Sequence, residues 1–191
     1  MTGHPETENH ASPLSQLVAD IRAAVQTWVA DDPMRSGLRV AQSVAPHLQC
    51  AGLLTFSQMQ SDRGAYKQHV LHVEPDGSFS VVALVWLPGQ RTTIHDHVAW
   101  CVTGVYLGAE QEVRYHLVEE ADQPYLVPAG TTMSAAGTVD FLVPPGDIHE
   151  VRNVADRTSV SLHVYGADLS RRGSSIRRTY DLPVRSEEVV V

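Results

Sequence analysis

The stretch YKQHVLHVEPDGSFSVVALVWLPG, from Tyr66 to Gly89, has the pattern of two β-strands joined by a turn. β-branched and apolar runs flank the turn signal Pro75-Asp-Gly77. Further short runs of this kind are Trp100–Leu107, Gln111–Val118, Thr138–Leu142 and Thr158–Tyr165. Breaks at Gly108, Pro128-Ala-Gly130 and Pro144-Pro-Gly146 separate them. Strands of this length and spacing predict a mainly β, antiparallel barrel, either closed or built from two sheets.

The segment before this stretch is helical in pattern. Leu14 to Val29 repeats apolar residues at spacings of three and four, which predicts an amphipathic helix, and Asp31-Asp32-Pro33 ends it. Met34 to Leu48 predicts one or two further short helices, and we expect all of them to pack outside the barrel. A chain of 191 residues favours one domain with appended segments. The predicted parts are a flexible N-terminus (1–12), a helical segment (13–62), the barrel (63–169) and a C-terminal strap or tail (170–191).

Composition narrows the class of partner. Asp and Glu number 22 against 14 Lys and Arg, a formal charge of −8 that argues against non-specific nucleic-acid binding. Cys50 and Cys101 lie in apolar surroundings without a pairing pattern, which indicates reduced thiols in the cytoplasm. The sequence shows neither a secretory signal pattern nor about 18 uninterrupted apolar residues. We therefore expect a cytoplasmic protein with small-molecule partners and no membrane partner.

Three histidines suggest a metal site. In a strand, residues i and i+2 face the same side, so His95 and His97 should point into the barrel and Asp96 away from it. A second run, Pro144-Pro-Gly-Asp-Ile-His149, delivers a third histidine after a proline-glycine turn. A lone H-x-H in a strand is more often a structural pair, but the second run favours shared metal binding.

Both runs resemble the paired motifs of the cupin superfamily, G-x5-H-x-H followed by Glu, and P-x-G-x2-H-x3-N. The matching positions are Gly89, His95, His97, Pro144, Gly146, His149 and Asn153. This resemblance implies a cupin-type double-stranded β-helix. Cys101 stands about where the family has a glutamate ligand, and the glycine expected before Pro144 is displaced, with Gly137 the nearest. Three neutral imidazoles without a carboxylate leave the full charge of a divalent metal, which favours soft anionic donors such as thiolate.

Ser161, His163 and Tyr165 alternate along one run and should share one strand face. Alone, the pattern fits an ordinary strand whose polar face meets solvent. With the three histidines, however, the chain resembles the bacterial thiol dioxygenases, relatives of cysteine dioxygenase, from about Tyr66 to Tyr165. The resemblance implies Fe(II) held by the three histidines, O2 and a small thiol as partners, and a sulfinic acid as product. It also implies that Ser161, His163 and Tyr165 form a relay around the iron.

The predicted carboxylate clamp concerns substrate choice. Cysteine dioxygenases have an arginine where this chain has Gln68, and glutamine there is typical of the 3-mercaptopropionate type. In that type a C-terminal arginine takes over the carboxylate, and our candidates are Arg177 and Arg178, which otherwise belong to a solvated basic run. The resemblance thus favours 3-mercaptopropionate, with L-cysteine, mercaptosuccinate or another small thiol as alternatives. A non-catalytic cupin that binds a small ligand is a further alternative.

The role of Cys101 stays open at this level. In the animal cysteine dioxygenases a cysteine near the first motif forms a thioether with the active-site tyrosine, which would correspond to a Cys101–Tyr165 crosslink. The register after His97 differs by one residue from that pattern. A buried reduced cysteine that fills space is the alternative.

Overall fold

A computed structural model describes residues 11–120 and 123–186. Most of the predicted flexible N-terminus (residues 1–10) and the end of the predicted tail (residues 187–191) lie outside the described residues. Two helices open the chain, α1 (Pro13–Gln26) and α2 (Pro33–Val44), followed by short 3-10 helices at Ala45–Gln49 and Phe56–Met59. No helix in these described ranges is long and apolar enough to cross a membrane.

Ten strands follow. They are β1 (Lys67–Val73), β2 (Ser80–Trp86), β3 (His95–His97), β4 (Cys101–Leu107), β5 (Ala109–Val118), β6 (Tyr125–Ala135), β7 (Val139–Leu142), β8 (His149–Asn153), β9 (Ser159–Tyr165) and β10 (Ile176–Thr179), with a one-turn helix α3 (Leu169–Arg172) before the last. One sheet has the order β1-β2-β9-β4-β7 and the other β10-β3-β8-β5-β6. The strand pairs within both sheets are antiparallel, so the prediction of a two-sheet, cupin-type barrel with outer helices is confirmed.

Both faces of the first sheet are covered, which explains why β2 and β9 are buried along their whole length. On the outer face, Leu162 and Val164 pack in one apolar cluster with α1 and α2, to which Ile21 and Val44 contribute. On the inner face, β9 carries its polar side chains into the barrel. A strand buried on both sides loses the simple alternation of apolar and polar residues, as the run SVVALVW of β2 shows.

The two helices are fixed at their starts and along one side. The Ser12 hydroxyl caps α1 and the Asp32 carboxylate caps α2, and each cap is followed by a proline at the first helical position. Gly37 lets α2 approach the sheet closely, since a Cβ there would lie 2.6 Å from Cδ2 of Phe141. The helices thereby close the outer face of the sheet that carries β9.

One turn expected from the sequence does not form. Pro128-Ala-Gly130 lies inside β6, which pairs with β5 across a register shift between Arg114 and Tyr115. A proline is tolerated at this position because β6 is the edge strand of its sheet and the proline lies at the register shift. The turn signal was therefore outweighed by the edge position, which sequence spacing does not reveal.

The C-terminal segment runs along the metal-site strand. β10 pairs antiparallel with β3, and the opposed residues are Ile176 with His97, Arg178 with Asp96 and Thr179 with His95. This pairing places Ser174 and Ser175, just before β10, beside the barrel interior.

Candidate metal centre

His95, His97 and His149 meet inside the barrel. β3 and β8 are neighbours, with His95 directly opposite His149, and β3 carries His97 on the same face as His95. The three ring centroids are 4.6 to 4.9 Å apart, and one ring nitrogen of each lies within 4.8 Å of the others. All three side chains are buried, and the strand register brings their three imidazoles together.

Each of the three rings has its Nδ1 atom occupied by an acceptor. Nδ1 of His95 is 2.9 Å from the Thr93 carbonyl oxygen, and Nδ1 of His97 is 2.9 Å from Oδ2 of Asp147. Nδ1 of His149 is 2.7 Å from Oε1 of Glu112. Because carbonyls and carboxylates accept only, Nδ1 carries the proton in each ring and Nε2 keeps its lone pair.

The free Nε2 atoms fit a metal ion. Nε2 of His149 is buried and has no hydrogen-bond partner among the described residues, an arrangement that is costly unless the atom binds something. Burial, together with the neighbouring histidines, lowers the pKa of His95 and of His149 to about 3. These two rings are therefore neutral near pH 7, as ligation requires, and the acceptor behind each of the three Nδ1 atoms is typical of metal-binding histidines.

Asp147 stabilises the position of His97. Burial opposes its ionisation, but hydrogen bonds from the ring and backbone N–H groups of His97 lower the pKa of the carboxyl group. Asp147 follows Gly146, whose φ of 96° belongs to the left-handed region that glycine adopts readily. The turn that delivers His149 thus also delivers the carboxylate that orients His97.

The side chains of Ser161, His163 and Tyr165 form a hydrogen-bonded series along the inner face of β9. The Ser161 hydroxyl oxygen is 3.0 Å from Nε2 of His163, and the Tyr165 hydroxyl is 3.2 Å from Nδ1 of the same ring. Nε1 of Trp86 donates to the Ser161 oxygen at 3.1 Å. The three residues are buried, so this polar face meets the metal centre instead of solvent. The rings of Tyr165 and His97 are 5.8 Å apart, which brings the series to the three histidines.

Cys101 lies opposite Tyr165 in the pairing of β4 with β9. Its sulfur is 3.9 Å from Nδ1 of His163, the atom that Tyr165 also contacts. Burial raises the pKa of the Cys101 thiol and of the Tyr165 phenol well above their usual values. Cys101 is a free thiol in the structure, and a thioether with Tyr165 stays a prediction.

A cavity of about 50 Å³ opens beside the three histidines. Gln68 from β1 lines it, together with Tyr66, Ser174, Ser175 and Tyr165. The Tyr66 ring packs on Trp86 with centroids 4.4 Å apart, and burial raises the pKa of its phenol. The cavity lining contains no carboxylate and no Lys or Arg among the described residues, so substrate groups would meet neutral hydrogen-bonding partners.

The structure does not bring the two candidate arginines into this cavity. Arg177 forms an ion pair with both carboxylate oxygens of Asp96, and Tyr180 donates to the same carboxylate at 2.7 Å. The Arg178 guanidinium lies 4.6 Å from the centre of the Tyr180 ring. Asp96 points away from the metal centre, as expected from the alternation in β3. Its carboxylate is buried, and its pairing with Arg177 was not anticipated from the sequence.

Four further residues of the site were not anticipated from the sequence: Tyr66, Glu110, Glu112 and Asp147. Glu110 and Glu112 alternate on β5, and both line a second cavity inside the barrel. Two acidic residues at i and i+2 in a strand were a usable signal, since they must share a face. Asp147 lies two residues before His149 within the second motif and offered a similar signal.

Together, the fold and the site define a cupin-type barrel with a three-histidine metal centre. The family model for cysteine dioxygenase type I matches residues 8–174, and the chain belongs to this family. Membership supports a non-haem iron thiol dioxygenase, and the three histidines supply the matching metal-binding group.

Solved structures also resemble the chain. The TT1209 protein of Thermus thermophilus is 20% identical over 60% of this chain and 95% of its own, with a TM-score of 0.43. A Cupin 2 conserved barrel domain protein from Salinispora arenicola is 20% identical over 59% of this chain and 83% of its own, with a TM-score of 0.41. A double-stranded beta-helix protein from Klebsiella pneumoniae is 18% identical over 62% and 92%, with a TM-score of 0.43. The family assignment rests on the family model.

Proposed function

We propose that the protein is an Fe(II) dioxygenase that adds both atoms of O2 to the sulfur of a small thiol and releases a sulfinic acid. The observation that carries the proposal is that the three histidines meet in one cavity with His163 and Tyr165, which belong to the buried series that starts at Ser161. In the balanced reaction, one thiol (RSH) and one O2 give one sulfinate (RSO2⁻) and one proton. A cytoplasmic setting, where Cys50 and Cys101 stay reduced, suits such a reaction.

His95, His97 and His149 would hold the iron through Nε2. When bound, iron supplies coordination positions for a thiolate and for O2 and lowers the pKa of the thiol. Tyr165 contributes a hydroxyl at the cavity wall, which can hydrogen-bond the substrate or the reacting oxygen. His163 fixes that hydroxyl, and Ser161 with Trp86 fixes the His163 ring.

Among thiols, we propose 3-mercaptopropionate over L-cysteine. L-cysteine would bring an ammonium group as well as a carboxylate into a cavity whose described lining has neither a carboxylate nor a cation. An unpaired buried charge is costly, and 3-mercaptopropionate brings one such charge where cysteine brings two. The Gln68 amide and the hydroxyls of Ser174 and Ser175 are the candidate donors to the remaining carboxylate.

Oxygen uptake by the iron-loaded protein tests the proposal, with the sulfinic acid identified by mass spectrometry. The thiols to compare are 3-mercaptopropionate, L-cysteine, mercaptosuccinate and the uncharged 2-mercaptoethanol. We expect the highest kcat/KM with 3-mercaptopropionate. A higher value with L-cysteine would reject the substrate assignment. No oxygen uptake with any thiol, despite bound iron, would favour a non-catalytic cupin.

A thioether between Cys101 and Tyr165, formed with loss of two hydrogens and with O2 as the oxidant, is part of the same proposal. Its support is the direct opposition of the two residues across β4 and β9. Intact-protein and peptide mass spectrometry after turnover would detect it as the loss of two hydrogens from the linked peptides, and Cys101→Ala is the matched control.

A further inference from the structure

Glu110 is a buried carboxyl group of the second cavity to which neither the metal centre nor the proposed reaction assigns a role. It lies on β5, is 5% exposed and faces the barrel interior. Its Oε1 atom is buried without a hydrogen-bond partner among the described residues, and hydrogen bonding by the Ser161 hydroxyl lowers the pKa of the carboxyl group. A buried carboxyl group with one free oxygen needs a chemical reason.

A second cavity adjoins Glu110 on the far side of the relay. It has a volume of about 20 Å³, enough for about one water molecule, and Thr103, Glu110, Glu112 and Asp140 line it. His163 lines both this cavity and the one that holds the metal centre. His163 therefore borders both spaces, as His149 and Val151 also do.

The hydrogen bonds of the relay can all run in one direction. Trp86 donates to the Ser161 oxygen, which leaves the Ser161 proton free to point at Glu110. Nε2 of His163 can then donate to Ser161, and Nδ1 can accept from the Tyr165 hydroxyl. This order forms an unbroken series of donors from Tyr165 to Glu110.

We propose that Glu110 is the terminal proton acceptor of this series and carries the thiol proton from the substrate cavity to the second cavity. The inference rests on the proposed function, in which one proton leaves per thiol oxidised. The Tyr165 oxygen takes the thiol proton and gives its own to Nδ1 of His163. Nε2 of His163 gives its proton to Ser161, and Ser161 gives its proton to the Glu110 carboxylate. Glu110 then releases that proton to the second cavity.

The surrounding charges single out Glu110 as the acceptor. The titratable groups that face it across the cavity are Glu112, Asp140, His149 and His163. Glu112 accepts the N–H of His149, and Asp140 is 2.6 Å from Arg114, which also contacts Glu112. Among the described acidic residues of this cavity, Glu110 is thus the one without an ion pair.

The pKa values of His163 and Glu110 agree with proton transfer from His163 towards Glu110. Burial raises the pKa of Glu110 to about 7, and the hydrogen bond from Ser161 offsets only part of the effect. Burial and the metal-site histidines lower the pKa of His163 to about 3, so an imidazolium does not persist and the proton moves on to Glu110. Since the acceptor must be ionised, kcat should rise with pH through about 7.

Glu110→Gln tests the proposal because it keeps the size of the side chain and removes the titration. Infrared spectra of the iron-loaded protein, without thiol or O2, should show a protonated carboxyl band that disappears with a midpoint near pH 7. We expect E110Q to lack that band and to lose the pH-dependent rise of kcat, with a turnover about 10- to 100-fold lower above pH 7. Asp140→Asn, which removes a carboxylate from the same cavity, is the control and should keep the band and the rise.

Two outcomes overturn the proposal. One is the absence of the titrating band from the wild-type protein. This measurement does not depend on the folding of any variant. The other is a band or a pH-dependent rise that survives in E110Q. Ser161→Ala gives a second check, since it should keep the band of Glu110 but lower turnover. Because the infrared result does not depend on thiol oxidation, failure of the proposed function would show separately, as absent oxygen uptake.

Discussion

Two histidine-bearing regions face each other in this barrel, and their sequence patterns look alike. β3 carries His95 and His97 at alternate positions, and β9 carries Ser161, His163 and Tyr165 in the same way. The difference lies in the ring nitrogens. Each metal-site histidine has one nitrogen held by a carbonyl or carboxylate and one kept free, whereas both nitrogens of His163 have hydroxyl partners on its own strand. A histidine that keeps one nitrogen free can ligate a metal, and one with two hydroxyl partners can pass a proton.

The largest effect is expected when one of the three metal-site histidines is removed. His149→Ala removes the ring whose Nε2 has no partner among the described residues, and we expect it to abolish iron binding and oxygen uptake. His116→Ala on the exposed face of β5 is the matched control and should bind one iron per chain. Iron content measured by atomic absorption gives the answer. A normal iron content in H149A would refute the three-histidine centre.

A smaller effect should follow from loosening one ligand. Asp147→Asn keeps the shape of the side chain but weakens the acceptor behind Nδ1 of His97, 2.9 Å away. Loss of such a partner typically lowers metal affinity by about 10- to 100-fold, and we expect that range in a competition assay with an iron chelator. Equal affinities for D147N and the wild type would mean that strand register alone holds His97.

Substitutions in the series Ser161, His163 and Tyr165 should lower turnover without changing the iron content. Tyr165→Phe removes the hydroxyl 3.2 Å from Nδ1 of His163 and leaves the ring beside His97. We expect normal iron content and a turnover about 10- to 100-fold lower. Steady-state oxygen uptake and the ratio of O2 consumed to sulfinic acid formed measure the effect. Unchanged values would reduce the series on β9 to a structural role.

The sequence revealed the ligands more fully than their supports. His95, His97 and His149 were predictable because alternation in a strand and a proline-glycine turn are local signals. The residues that hold or extend the site come from other strands, as Glu112 on β5 does for His149. The sequence predicted that the helices pack outside the barrel, but which strand faces α1 and α2 cover, β9 among them, depends on packing between distant segments. Pairing over such distances leaves little trace in the order of residues.

Arg177 shows this limit most clearly, and it gives the smallest expected effect on catalysis. The sequence offered this arginine or Arg178 as the candidate for the substrate carboxylate, and the structure pairs Arg177 with Asp96 on the outer side of β3. Burial opposes ionisation of Asp96, and Arg177 with Tyr180 lowers the pKa of its carboxyl group. Arg177→Gln should therefore lower the free energy of unfolding only modestly, because the guanidinium is half exposed and solvent screens the ion pair, and should leave kcat/KM for 3-mercaptopropionate nearly unchanged.

Urea unfolding and oxygen uptake on R177Q separate these effects, with Arg178→Gln as the control for loss of one positive charge from the same strand. A clamp on the substrate would instead lower kcat/KM by roughly 10- to 150-fold, since a charge-assisted hydrogen bond contributes about 1.5–3 kcal/mol. Such a fall in R177Q but not in R178Q would mean that Arg177 exchanges Asp96 for the substrate carboxylate during turnover. The strap formed by β10 would then belong to the substrate site as well as to the support of β3.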